Sequence, residues 1–302
     1  MSQTLKDVEF IFVDDASPDR SIELLNKCIR KYPNRVDSIK IVSHEKNKGL
    51  PAARNTGVAL ATGEYIFHCD SDDFVDSDML ETLYDTAQKE KADIVWCDWF
   101  LSFEHTERYM KQPSYTTSTE ALKAMLGGVM KFNVWNKLVR RGLYTDNHIC
   151  FPEGYAMGED MTMILLFAVA ANVVYVPRAF YHYVKLNSEA YSQNFSLHHL
   201  DSVKHNIHIV ETFLQEHFGN DLDLEIACMK LEAKFPFLMS NDKYMYKLWV
   251  ETYPEANIYI MRNHYISNRR RLVQWCAYKH WWLMVRLHNW IVCKVVYGLI
   301  YR

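Results

Sequence analysis

Two apolar runs, each ending in a knot of acids, constrain this chain more than any other feature. Val8-Glu9-Phe10-Ile11-Phe12-Val13 leads into Asp14-Asp15-Ala16-Ser17, and Tyr65-Ile66-Phe67-His68-Cys69 leads into Asp70-Ser71-Asp72-Asp73. Short apolar runs bounded by turn residues read as buried strands. Carboxylates at the carboxyl ends of strands lie where open α/β sheets bind ligands. Hard oxygen donors suit Mg²⁺ or Mn²⁺, which in turn suits a diphosphate. The pattern implies a metal-dependent, nucleotide-linked site.

The rest of the first hundred residues keeps that rhythm. Strand-like runs occur at 8–13, 38–43, 64–69 and 93–97, with helical patterns between them at about 19–32, 51–61 and 78–90. Strands alternating with helices of this length predict an α/β fold, a mostly parallel sheet with helices on both faces. A mixed stretch follows, with helices near 118–128 and 159–171 and strand-like runs at 173–176 and 180–183. Beyond about 195 the pattern is helical, a C-terminal appendage. The expected division is 1–100, 101–195 and 196–302. Residues 161–177 carry no charge, but Asn172 and Pro177 interrupt them, so they read as a buried helix and strand rather than a membrane span.

Asp-x-Asp occurs three times, and context separates the copies. Asp76-Ser77-Asp78, with Glu81 three residues after Asp78, reads as a capping box opening a helix. Asp221-Leu222-Asp223 reads as a solvated turn. Only Asp70-Ser71-Asp72 ends a strand-like run and is followed at once by a third acid. On residue types alone it is either a metal site or a helix-capping turn.

Seven cysteines are scattered with no Cys-x-x-Cys pair, the usage of a reduced cytosolic protein with buried thiols rather than a disulfide or zinc scaffold. Residues 1–9 lack the basic end and apolar stretch of a signal peptide. The net charge of −3 hides an asymmetry: the last acid is Glu255, and Arg262–Arg302 carry eight Lys/Arg. An acidic body with a basic tail implies surfaces with different partners.

Six strings, in order, resemble the glycosyltransferase family 2 with the GT-A fold. They are Val13-Asp14-Asp15-Ala16-Ser17-Pro18-Asp19 (the family's "VDDGSxD"), Asn47-Lys48-Gly49-Leu50 with Ala53-Arg54-Asn55-Thr56-Gly57, and Gly63-Glu64-Tyr65-Ile66. Asp70-Ser71-Asp72-Asp73, Trp135-Asn136-Lys137-Leu138 and Gly158-Glu159-Asp160 complete the set. The resemblance covers residues 7–185 and not the tail. Such enzymes open with a "VSVIIPxYN" strand and a helix before the "VDD" strand. Here Ser2-Gln3-Thr4-Leu5 matches only the end of that helix, so the expected chain lacks the usual first strand and helix.

What the resemblance implies is inverting transfer of a sugar from a nucleoside-diphosphate donor, UDP-linked, to a hydroxyl of a glycan or lipid-linked acceptor in surface polysaccharide synthesis. Asp15 would take the nucleotide's base or ribose, since a carboxylate accepts from N–H and O–H donors. Arg54 would meet phosphate or base with its planar fork. Asp70, Asp72 and Asp73 would share Mn²⁺ or Mg²⁺, with Asp72 the direct ligand. His182 matches a position where some relatives supply a histidine to that metal. Asp160 would be the general base, with Glu159 in reserve. Each has a structural reading too: Asp15 as a turn former, Arg54 as a surface arginine, His182 as a satisfied core histidine, Glu159-Asp160 as an acidic helix cap. Trp135 suits either a sugar ring or the core.

In the tail, Arg271, Lys279, Arg286 and Lys294 recur at intervals that gather on one side of a helix, among Trp275, Trp281, Trp282 and Trp290. That is a basic amphipathic helix for an anionic membrane surface, or a helix packed on the domain. The implied place is the cytoplasm, peripheral on the inner face of the cell membrane, and no nucleic-acid module is visible. Two rival readings are a non-catalytic truncated relative or partner subunit, and a sugar nucleotidyltransferase; the latter needs a Gly-rich basic loop that this sequence does not contain.

Overall fold

The computed structural model describes residues 1–185 and 197–292. Apolar runs of the first half become strands, and the amphipathic stretches between them become helices: β1 (Phe10–Asp14), α1 (Ser21–Ile29), β2 (Ile39–Ser43), α2 (Leu50–Leu60) and β3 (Tyr65–Phe67). The chain continues through β4 (Phe74–Val75), α3 (Met79–Glu90), β5 (Ile94–Ser102), β6 (Glu107–Met110) and α4 (Ser118–Leu126). Next come β7 (Lys137–Arg140), α5 (Arg141–Asp146), α6 (Thr162–Val169) and the long β8 (Val173–Val184). Helices follow: α7 (Leu197–Phe218), α8 (Asp223–Leu238), α9 (Lys243–Glu251), α10 (Asn268–Tyr278) and α11 (Trp282–Ile291).

Strands β1 and β2 pair in parallel as a two-stranded sheet, and the others form a six-stranded sheet in the order β3-β7-β5-β8-β4, with β6 on β5. The pair β5–β8 is parallel, whereas β3–β7, β5–β7, β5–β6 and β4–β8 are antiparallel. The larger sheet is therefore mixed, not mostly parallel. Strand β6 returns directly along β5, and β7 enters between β3 and β5 running against both. The α/β class with a helical C-terminal region stands.

The core follows β5, whose Ile94, Val95, Trp96 and Cys97 are fully buried. The two strand-like runs at 173–176 and 180–183 join in β8. Pairing jumps from Val176 opposite Cys97 to Ala179 opposite Asp98, leaving Pro177 and Arg178 as a bulge. Proline has no N–H to donate to the ladder, and bulges are where sheets accommodate it. The uncharged 161–177 segment forms the buried α6 and the start of β8, where only Val173 is buried. No described helix is long and apolar enough to cross a membrane.

The capping box at α3 does not form. Asp78 occupies the N-cap position without a capping bond; its carboxylate pairs with Arg178 at 2.7 Å, and Glu81 accepts from the Thr4 hydroxyl. The six described cysteines are free thiols; Cys97, Cys228 and Cys276 are buried, while Cys28, Cys69 and Cys150 are exposed.

Two compact units result: Met1–Ala121 with Phe132–Val210, and Leu122–Lys131 with Glu211–Arg302. The second unit is built on α8, where buried Lys234 donates to the carbonyls of Thr252 and Tyr253 and to Asn257 Oδ1. The tail is not one helix. His280 adopts φ 58°, His280 N–H donates to Ala277 O and Trp281 N–H to Cys276 O, a Schellman motif that ends α10. Arg271 and Lys279 thus belong to α10 and its cap, Arg286 to α11, and they form no single stripe. Lys294 lies outside the described residues.

Candidate active site

The site is assembled around one arginine of the first unit. Gly49, at φ 88°, turns the chain into α2, and the helix carries Arg54 inward until it is only 7% exposed. There its guanidinium meets three carboxylates from two distant stretches. Nη2 donates to Asp70 Oδ1 at 3.1 Å; Nη1 donates to Asp160 Oδ1 at 2.8 Å and Glu159 Oε1 at 3.1 Å. The Phe151 ring lies 5.5 Å from the guanidinium carbon and helps fix the fork. The strand-end acids and the Gly158-Glu159-Asp160 acids, far apart in sequence, are thereby one cluster.

One cation against three carboxylates leaves excess negative charge. Gly158, at φ 85°, opens the short turn Glu159–Met161 before α6. Both carboxyls rise above their usual range because burial penalises the charged form, with neighbouring acids adding to it and Arg54 opposing. Glu159 is pushed up to about 7, and Asp160 moves in the same direction. A carboxylate tuned towards neutrality is what a general base requires.

Asp15 is engaged within the protein. Its carboxylate accepts from Lys48 N–H at 2.9 Å, Gly49 N–H at 2.7 Å and His44 Nδ1 at 2.6 Å. Against the upward push of burial, these bonds hold it below the ordinary range. Asp15 therefore ties the end of β1 to the loop that starts α2. Beside it, Ala16 stands where the family signature carries glycine and adopts φ 57°, a left-handed conformation that costs a residue with a Cβ about 1–2 kcal/mol.

Asp73 and His182, both in the expected metal set, are engaged by protein partners. Asp73 accepts from the Tyr181 hydroxyl and from Val184 N–H, each at 2.7 Å, and burial pushes its carboxyl up to about 6. It pins the strand-end turn to β8. Tyr181 also accepts from Asp70 N–H at 3.2 Å. His182, next along the strand, faces the other way because side chains alternate. It stacks between Phe74 and Phe100, at 4.2 and 4.9 Å, and its ring nitrogens meet Glu107 at 2.7 Å and Asp76 at 3.3 Å.

Among the described residues no group of three His, Cys, Asp or Glu is poised for a metal. Mg²⁺ and Mn²⁺ commonly bind through one or two carboxylates and take the remaining oxygens from substrate phosphates and water. Asp70 and Asp72 fit that pattern. Asp72 is exposed, and among the described residues no donor meets its carboxylate.

Trp135 is a core residue, 6% exposed, stacked on Tyr181 at 4.4 Å and Tyr183 at 5.6 Å. Sequence reasoning missed two residues. Tyr181 bridges Asp70 and Asp73. Lys137 is fully buried, donates to Asn133 O and Asn136 Oδ1, and is lowered to about 7 by burial, with Asp160 opposing. The Trp135-Asn136-Lys137-Leu138 string was the available signal.

The first unit is thus an α/β domain with strand-end acids joined through an arginine to a second pair of acids. The chain belongs to the glycosyl transferase family 2, whose family model matches residues 1–157. Cholesterol galactosyltransferase of Borreliella burgdorferi is 34% identical over 252 residues, 78% of this chain and 66% of that protein. Glycosyltransferase EpsJ of Bacillus subtilis is 34% identical over 167 residues, 53% of this chain and 47% of that protein. The chain thus spans between about half and two thirds of the length of these curated relatives. The fold is similar to that of S. aureus TarS 1–349 in complex with UDP-GlcNAc, with a TM-score of 0.71 at 17% identity, over 95% of this chain and 84% of that one.

Proposed function

We propose that this chain transfers a hexosyl or N-acetylhexosaminyl group from a UDP-sugar to a hydroxyl of a lipid-linked or glycan acceptor, with inversion, in surface polysaccharide synthesis. The observation that carries the reading is the Arg54 hub, which joins Asp70 of the strand-end acids to Glu159 and Asp160. One end of the hub suits the departing diphosphate and the other suits the attacking hydroxyl. A lipid hydroxyl as acceptor is supported by the name of the relative from Borreliella burgdorferi, a cholesterol galactosyltransferase. The UDP-GlcNAc bound to TarS supports a UDP-linked donor. The proposed place is the cytoplasmic face of the cell membrane.

Asp160 takes the acceptor proton as the oxygen attacks the anomeric carbon, and the diphosphate leaves from the opposite face in a single displacement. Arg54 holds Asp160 and Glu159 in place and keeps Asp70 oriented. Asp70 and Asp72 would hold Mn²⁺ or Mg²⁺, which when bound neutralises charge growing on the leaving diphosphate.

The test is nucleotide release from a panel of UDP-sugars. Asp72→Asn should abolish Mn²⁺-dependent release while leaving the melting curve unchanged, because this exposed side chain supports nothing in the fold. Unchanged release in the variant would take Asp72 out of the mechanism.

Glu159 provides a pH test. Its carboxyl titrates at about 7 in the folded chain against 4.5 ordinarily, so the native state binds the extra proton between these values. The stability it contributes is present below about pH 4.5 and is lost as pH rises through about 7. Denaturation midpoints of the wild type should therefore fall relative to Glu159→Gln between pH 5 and 8. Parallel curves for the two proteins would show that Glu159 is ionised throughout.

A further inference from the structure

Helix α11 buries one side and exposes an apolar row on the other. Its inner row, Val285, Asn289 and Val292, is buried, with Asn289 Nδ2 donating to the carbonyls of Leu238 and Ser240. Opposite stand Leu283, Met284, Leu287, Trp290 and Ile291, all exposed, Leu283 by 79% and Trp290 by 57%. At about 100° per residue these five fill an arc of about 120° facing away from the inner row. Trp281, just before the helix, is 52% exposed. Scattered exposed apolar residues are ordinary; a continuous row of them marks an interaction surface.

The flank of that row is cationic. Arg286 of α11 and Lys243 and Lys247 of α9 line one cleft with Tyr246 and Trp282, whose rings stack at 4.9 Å. Lys247 has a carboxylate, Glu251, at 3.7 Å in a solvent-exposed pair. Among the described residues neither Lys243 nor Arg286 has an ion pair. Lys279, at the end of α10, lies over the Trp275 and Tyr278 rings, and no acid follows Glu255 in the sequence.

We propose that the outer face of α11, with the Lys243–Lys247–Arg286 cleft, docks the chain on a bilayer containing anionic lipid. The apolar row enters the boundary between headgroups and acyl chains, tryptophans sit at that boundary, and the cleft takes lipid phosphate. Charge complementarity selects this occupant over a second copy: two copies joined through the same face would bring their unpaired cations together. The proposal deepens the membrane placement in the proposed function, but it stands on the second unit's residues alone.

Flotation of the full chain with vesicles tests it, comparing phosphatidylcholine alone with phosphatidylcholine containing phosphatidylglycerol. The wild type should float with the anionic vesicles only. It should leave them at about 1 M salt, where the Debye length shrinks to about 3 Å. Leu283→Glu with Leu287→Glu should cut the floated fraction at least tenfold, and so should Lys243→Glu with Arg286→Glu, with melting curves unchanged because all four side chains are exposed. Nucleotide release is measured alongside, so a failed transfer reading and a failed docking reading are told apart. Equal flotation by the variants and the wild type overturns the proposal. So does absence of flotation at low salt, or a dimer on size-exclusion that only the leucine variant splits.

Discussion

Replacing Asp160 by asparagine lowers turnover by about 10²–10⁴-fold, the usual worth of a positioned general base, with donor affinity nearly unchanged. Asparagine keeps the shape and still offers an oxygen to Arg54, so the packing around the 2.8 Å contact survives. What disappears is the capacity to take a proton. Glu159 shares the same guanidinium nitrogen, so Glu159→Gln is the matched control and should cost far less turnover. If donor affinity collapses in Asp160→Asn while saturated turnover holds, Asp160 is a binding residue. If Glu159→Gln is the more damaging variant, the base is Glu159.

Arg54→Met has the largest expected effect on the fold. The substitution preserves the side-chain stem but removes the guanidinium that Asp70, Glu159 and Asp160 share. Removing one partner of a buried ionic cluster typically destabilises by about 3–5 kcal/mol. At about 2–4 °C per kcal/mol for a domain of this class, the melting temperature should fall on the order of 10 °C at pH 8. The loss should shrink near pH 5, because carboxyls already pushed upward by burial take up protons and cease to repel. A variant that melts with the wild type at pH 8 would mean that the hub contributes nothing to stability.

The local pieces of this arrangement are legible in the sequence, and what is not legible has physical causes. The strand-end acids and the Gly158-Glu159-Asp160 turn announced themselves because glycine, apolar runs and acids mark strand ends and helix starts locally. Partners across more than a hundred residues do not. For Arg54 the sequence suggests a nucleotide partner but not the contacts its fork makes with Asp70, Glu159 and Asp160. Nor does the sequence show that Asp15 closes the loop at Lys48 and Gly49. For His182 the strand is legible but not the face: alternation puts it opposite Tyr181, and only the contacts of β8 reveal which face meets Asp73. The mixed sheet escaped notice because strand direction leaves no trace in a residue pattern. At the tail, neither glycine nor proline marks the break at His280, where a histidine takes the left-handed conformation, so the cation spacing suggested a helix longer than the one that forms.

The central claim is that Asp70, Asp72, Arg54, Glu159 and Asp160 make one site for a metal-bound nucleoside diphosphate and its attacking hydroxyl. Calorimetric titration of UDP, with Mn²⁺ present and absent, addresses it most directly. The account predicts saturable binding that requires Mn²⁺, disappears in Asp72→Asn and persists in Asp160→Asn. UDP binding that ignores Mn²⁺ or survives Asp72→Asn, or a folded chain that binds no UDP with Mn²⁺ present, would contradict it.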